Sequence, residues 1–128
     1  NSAFLSNQLE NITIPDSVTN IGEDAFNGNN LVTVEIPDGV RNIENGAFKD
    51  NHNLGRVKIP DNVSIDNCAF YQDAPRVATI TIGSNVTLGN DLLGENNKFR
   101  NAYDEDGAGT YTYNIYAYDQ DNEEWVKQ

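Results

Sequence analysis

The residues of this chain whose spacing best suits chemistry are carboxylates. Asp119, Asp121 and Glu123 alternate in "DQDNEE", and Asp104 and Asp106 alternate in "DEDG". Hard cations such as Ca²⁺ take several oxygens at short spacing, and both strings supply them. Neither completes the calcium loop that needs a central glycine and a closing glutamate. A solvated turn is the simpler reading, so Asp119, Asp121 and Glu123 stand only as weak calcium candidates. A second set, Asp16, Asp38 and Asp61, follows an Ile-Pro pair each time. Stacked in a row they would repel and favour a cation. Salt screens exposed charges, however, and Asp after Pro is an ordinary turn former. No metal and no cofactor is assigned.

Nucleophilic chemistry has less support. His52, the only histidine, lies in the loop "DNHNL" with no nucleophile or metal set near it in sequence. Cys68, the only cysteine, follows Asp66 and Asn67 and lacks the basic neighbour that makes a thiol reactive. It reads as a small, partly buried filler, and a single cysteine excludes an internal disulfide. No serine sits in a nucleophile motif, and no glycine loop cradles phosphate. Catalysis is therefore the weakest functional class. Asn11, Asn62 and Asn85 begin glycosylation tripeptides, which recur only because their surroundings do.

Aromatic side chains offer another chemistry, since their faces stack on sugar rings. Tyr111, Tyr113, Tyr116, Tyr118 and Trp125 cluster near the end of the chain. Alternation puts Tyr111 and Tyr113 on one face and Tyr116 and Tyr118 on the other. One set is needed to cover the structure beneath, which leaves Tyr116, Tyr118 and Trp125 as the candidate glycan contacts.

The elements that position these groups are set by a repeat. "IPDSVTNIGEDAF" at 14–26 returns as "IPDGVRNIENGAF" at 36–48 and "IPDNVSIDNCAF" at 59–70. Ala-Phe pairs recur at Phe4, Phe26, Phe48 and Phe70, a spacing of 22, and Leu92-Leu93 takes the place in the next unit. Further ladders are Leu9, Leu31, Leu54, Val77, Phe99; Ile12, Val34, Val57, Ile80; Ile14, Ile36, Ile59, Ile82; and Val18, Val40, Val63, Val86. Each unit holds a short β-branched strand ended by Pro15, Pro37 or Pro60, because proline has no donor with which to extend a sheet. The "IGEDAFNGN" section has the length of one helical turn. One strand and one short helical turn every 22 or 23 residues predict an α/β-type leucine-rich solenoid whose stacked strands form a parallel sheet on a concave face.

The pattern divides the chain at 103/104: coils over 1–103, then a C-terminal β-hairpin cap over 104–128. "DEDGAG" reads as turn, "TYTYNIYAY" and "EWVK" as strands, and "DQDNE" as the hairpin turn. A cap is needed because end coils otherwise expose apolar columns and sheet edges. The other end has none, and the chain begins inside a repeat without Met, as a segment of a longer protein would. That end is expected to expose apolar surface that self-associates.

Two further sets of positions follow from the period. Asn7, Asn29, Asn51, Asp73 and Asn96 each lie three residues after the Phe or Leu93 and read as an inward polar ladder that satisfies turn backbone. Strand residues between the inward ones face outward: Asn11, Thr33, Arg56, Thr79 in one column and Thr13, Glu35, Lys58, Thr81 in the next. Glu35 and Lys58 are neighbours of opposite charge. This polar face, with Arg56 and Lys58 at its centre, is the candidate protein-binding surface.

Bulk properties limit the partners. The chain has 128 residues, 38% hydrophobic, with a formal net charge of −12. Residues 91–128 carry 9 acidic and 3 basic side chains, against 11 and 5 over 1–90. Such acidity disfavours nucleic acid and anionic lipid. No apolar run approaches the length of a membrane span.

The string "IPDSVTNIGEDAFNGNNL" resembles the BspA-type leucine-rich repeat of bacterial and protist surface proteins, with Ile-Pro, Val, Ile-Gly and Ala-Phe recurring in order over about residues 3–103. The family commonly has Cys in the column held here by Asn7 and its equivalents. The resemblance implies a non-catalytic extracellular or cell-surface module that adheres to host or extracellular matrix proteins. Its alternatives are a carbohydrate-binding module using the aromatic hairpin and a spacer within a larger surface protein. Oligomeric state stays open.

Overall fold

The computed structural model describes residues 2–72, 77–94, 98–113 and 125–128. Its elements are β1 (Asn20–Ile21), β2 (Thr33–Glu35), β3 (Asn42–Ile43), β4 (Arg56–Ile59), β5 (Ser64–Ile65), β6 (Thr79–Ile82), β7 (Thr87–Leu88), α1 (Lys98–Asp106), β8 (Gly109–Tyr113) and β9 (Trp125–Lys127). They build two sheets. One has the order β1-β3-β5-β7 and is parallel throughout. The other has the order β2-β4-β6-β8-β9, parallel through β6 and antiparallel beyond it.

The apolar ladders dictate the register. Val34 stands beside Val57 and Val57 beside Ile80, each almost wholly buried. Leu31, Leu54, Val77 and Phe99 form another buried column. Periodicity alone points to one strand per coil, whereas each of these coils has two. The second, such as Asn42–Ile43, is only two residues long, too short for alternation to reveal it.

The Ala-Phe section takes the form of hydrogen-bonded turns rather than a continuous helix. Asp24, Gly46, Cys68 and Asp91, each just before the apolar pair, have φ of 52°, 66°, 55° and 48°. A left-handed residue stops helix propagation there. The freed amides bond the next coil instead: Phe26 N donates to Ala47 O at 2.7 Å and Phe48 N to Ala69 O at 2.7 Å. Phe4, Phe26, Phe48 and Phe70 consequently stack with ring centroids 5.0–5.3 Å apart and planes within 8°. Cys68 is thus a position of backbone demand as well as a filler.

At the C-terminal end, α1 replaces the turn expected at Asp104–Asp106 and runs across the 103/104 division. Phe99 and Tyr103, four residues apart, fall on one helix face and are buried. The Tyr103 hydroxyl donates to Gly83 O at 3.0 Å and accepts from Val86 N at 3.1 Å, which fastens the helix to the preceding coil. Beyond it, β8 pairs antiparallel with β6, and β9 with β8.

The first coil differs from the rest. Asn30 N reaches Leu9 O at 2.8 Å and Val32 N reaches Glu10 O at 3.1 Å. Residues 11–14 then form no strand, and β2 is left as the outer strand of its sheet. Leu9, Ile12, Ile14 and Val18 are only partly buried, and Phe4 and Leu5 remain 47% and 45% exposed.

Candidate functional site

The outward face of the five-stranded sheet is an ordered polar surface built by the repeat. Pleating sends alternate residues to opposite faces, so the inward Val and Ile ladders fix what points out. Thr33, Arg56 and Thr79 stand side by side, as do Glu35, Lys58 and Thr81. Arg56 and Lys58 are exposed, while Thr79 and Thr81 are half-buried. Asn11 and Thr13, the expected first members of these columns, are exposed but lie outside any strand. The sheet ladder does not reach them.

Sequence columns end at Thr79 and Thr81, yet the surface continues. Antiparallel pairing sets Thr112 beside Thr79 and Thr110 beside Thr81, with their hydroxyls 3.0 Å apart in the second pair. Gln128 Nε2 donates to Thr112 Oγ1 at 2.7 Å. The signal for this extension is the alternation in "GTYTY", but its partner strand is set by the fold, not by the period.

A depression of about 810 Å³ opens where the face meets the first coil. Asn11 to Ile14, Asp16, Thr33, Glu35, Asp38 and Lys58 line it. Gly39 also lines it, at a point where coils close up: a Cβ there would stand 2.4 Å from Asp16 O. The third aspartate of that row, Asp61, is engaged locally and accepts from Ser84 N at 2.6 Å and Ser84 Oγ at 3.0 Å. Among the described residues, no group of three or more His, Cys, Asp or Glu is placed to hold a metal ion. The calcium candidates Asp119, Asp121 and Glu123 lie outside the described residues.

Among the described residues, the polar ladder is interior at Asn29 and Asn51. Asn51 is fully buried; its Nδ2 donates to Phe48 O at 2.8 Å and Phe26 O at 2.9 Å, and its Oδ1 accepts from Leu31 N at 3.2 Å. Asn29 repeats the arrangement, donating to Phe4 O at 2.8 Å and Phe26 O at 3.0 Å and accepting from Asn7 N and Leu9 N. Asn7 is exposed, and Asp73 and Asn96 lie outside the described residues. Between adjacent coils, the exposed Glu44 carboxylate accepts from Asn20 Nδ2 at 2.8 Å and from Glu23 N at 2.9 Å. These two bonds, the Asn20 one first, hold its pKa below the ordinary glutamate value.

The aromatic tail is structural where it is described. Tyr111 is fully buried and meets Phe99 edge to face at 5.4 Å. Its hydroxyl donates to Gly107 O, and burial, followed by the Asp106 charge and then Tyr103, raises its pKa. Trp125 is buried as well, its ring 5.1 Å from that of Phe99. A buried ring has no face to offer a sugar, so Trp125 drops out of the glycan set. Tyr116 and Tyr118 lie outside the described residues. His52 is exposed and Cys68 is a free, half-buried thiol.

Comparison with known families decides what this architecture is. The profile described as BspA type Leucine rich repeat region matches residues 1–102 in six copies. The chain belongs to the BspA-type leucine-rich repeat family. No curated protein and no solved structure matches it. Membership makes protein interaction, rather than catalysis, the general function of a BspA-type repeat. The family is often surface-associated. No helix among the described residues is long and apolar enough to cross a membrane.

Proposed function

We propose that this BspA-type repeat is a non-catalytic module, secreted or displayed at a cell surface, that adheres to extracellular or host proteins through the open face of its five-stranded sheet. One observation supports the reading above others. The face presents unbroken outward rows, Thr33–Arg56–Thr79–Thr112 and Glu35–Lys58–Thr81–Thr110, on strands paired in register from β2 to β8. Short polar side chains leave the sheet accessible, and Arg56 and Lys58 provide charge at its centre in an otherwise acidic molecule. Repeat faces of this type act as extended binding surfaces, and complementary charge sets specificity and association rate.

The test is a binding screen of the purified chain against extracellular matrix proteins and glycans, with and without Ca²⁺. The expected result is a protein ligand whose binding is lost when Arg56→Glu and Lys58→Glu are combined, with the fold retained by circular dichroism and the melt only slightly lowered by the new Glu35–Glu contact. Binding that survives this reversal removes the sheet face from the mechanism. A response to glycans alone would transfer the function away from the sheet, and silence throughout would favour the spacer.

A further inference from the structure

We propose that the edge of β2 is a docking site for an extended peptide of alternating basic and apolar residues, which joins the five-stranded sheet as an added strand. This inference rests on the protein-binding reading above and names the form of the ligand.

The backbone of β2 provides the first argument. Gly55 N donates to Val32 O at 3.0 Å and Ile36 N donates to Lys58 O at 2.9 Å. These bonds, made by the residues flanking β2, turn Val32 O and Ile36 N toward β4, and with Glu35 in register with Lys58 they set the alternation between them. In a parallel ladder, alternate residues address the same neighbour, so the N–H and C=O groups of Thr33 and Glu35 point the other way. Residues 11–14 lie on that side but form no strand, and β2 ends the sheet. An unpaired strand edge is a template for another extended chain.

The opposite edge of the same sheet gives the precedent. There β6 receives β8, an antiparallel strand whose Thr110 and Thr112 face out while Tyr111 enters the buried column beside Ile80. The sheet thus accommodates an added strand with polar residues outward and apolar residues inward. At the β2 edge the depression of about 810 Å³ leaves space for such a segment, within the range of about 300–1,000 Å³ for ligand sites.

Side chains around the edge specify the occupant. Ile12, Ile14 and Ile36 line the depression and suit apolar residues of the incoming strand. Three carboxylates, Asp16, Glu35 and Asp38, line it against one cation, Lys58. A basic residue opposite Glu35 makes the favourable cross-strand pair. The molecule's net charge of −12 draws cationic chains toward it. Acidic strands are repelled by the same groups.

The probe is acetylated, amidated Lys-Val-Lys-Val-Lys-Val, with a Glu-Val analogue as control. Hydrogen exchange of the Glu35 amide is expected to be fast in the free protein and to slow at least about tenfold with the Lys-Val peptide, the change that roughly one net hydrogen bond gives. Glu35→Pro deletes the donor that points away from β4 and is tolerated on an edge strand. It is expected to weaken the peptide by about tenfold or more, measured by calorimetry. Glu35→Gln keeps the donor and should weaken it less. A Glu35 amide already protected without peptide overturns the proposal, as does equal binding of the Glu-Val analogue or no binding at millimolar peptide. Should Glu35→Pro unfold, the exchange experiment on the natural chain still decides. A protein ligand lost on reversing Arg56 and Lys58 but not displaced by the peptide would overturn the edge proposal alone. A peptide that protects Glu35 when no ligand responds to that reversal would overturn only the sheet-face reading.

Discussion

The two ends of the five-stranded sheet obey the same repeat and finish differently. At one end β8 and β9 cover β6, and Tyr111, Phe99 and Trp125 interlock edge to face beneath them. At the other, β2 is the last strand and the first coil is held through its flanks, with residues 11–14 unladdered between them. Identical positions consequently differ in what they contribute. Phe48 is fully buried between Phe26 and Phe70, whereas Phe4 has one ring neighbour and is 47% exposed. Asn51 is sealed, and Asn7 faces solvent. A repeat motif therefore fixes which way a residue points, and the neighbouring coils fix how much that direction is worth.

The sharpest challenge to this contrast is a pair of core truncations. Phe48→Ala is expected to destabilise by about 3–5 kcal/mol, as large buried truncations do. Phe4→Ala should cost only about 1–2 kcal/mol, because Phe4 keeps 47% of its surface exposed and stacks on one ring. Urea unfolding measures both, and equal losses would break the comparison. A smaller contrast concerns the polar ladder. Asn51→Ala strands the Phe26 and Phe48 carbonyls and the Leu31 amide, so a loss of about 2–3 kcal/mol is expected. Asn7→Ala should be close to neutral by the same assay. If the two variants melt together, the buried bonds contribute nothing net.

The smallest expected effect tests the links between coils. Because Glu44 is held below its ordinary pKa when folded, its contribution is present above the unfolded value, about pH 4.3. It is lost as pH falls from there through the lower folded value. Glu44→Gln should therefore melt slightly below the natural chain at neutral pH, with the gap closing under acid. A gap that widens as pH falls would contradict the assigned bonds to Asn20 and Glu23.

Much of the architecture is legible in the sequence because the repeat states it many times. The Ile-Pro, Val and Ala-Phe ladders name the inward columns, and the residues between them name Arg56, Lys58, Glu35 and Thr81 as outward. The second sheet is not legible, since strands of two residues carry too little alternation. Nor is α1, which joins the end of the last repeat unit to Asp104–Asp106, residues that read as a turn until Phe99 and Tyr103 find a coil to pack on. The buried role of Trp125 is hidden for a similar reason. Aromatic residues in a hairpin look alike whether they serve a ligand or a core.

By itself, the sequence determined the period, the inward columns and the strand register, because those follow from local alternation and spacing that recur in every coil. Only the tertiary structure decided which residues ended with partners. It placed β8 on β6, buried Trp125, joined Thr110 and Thr112 to the outward rows and left the edge of β2 open. Each of those outcomes depends on chain segments distant in sequence meeting or failing to meet, and no spacing within one coil encodes that.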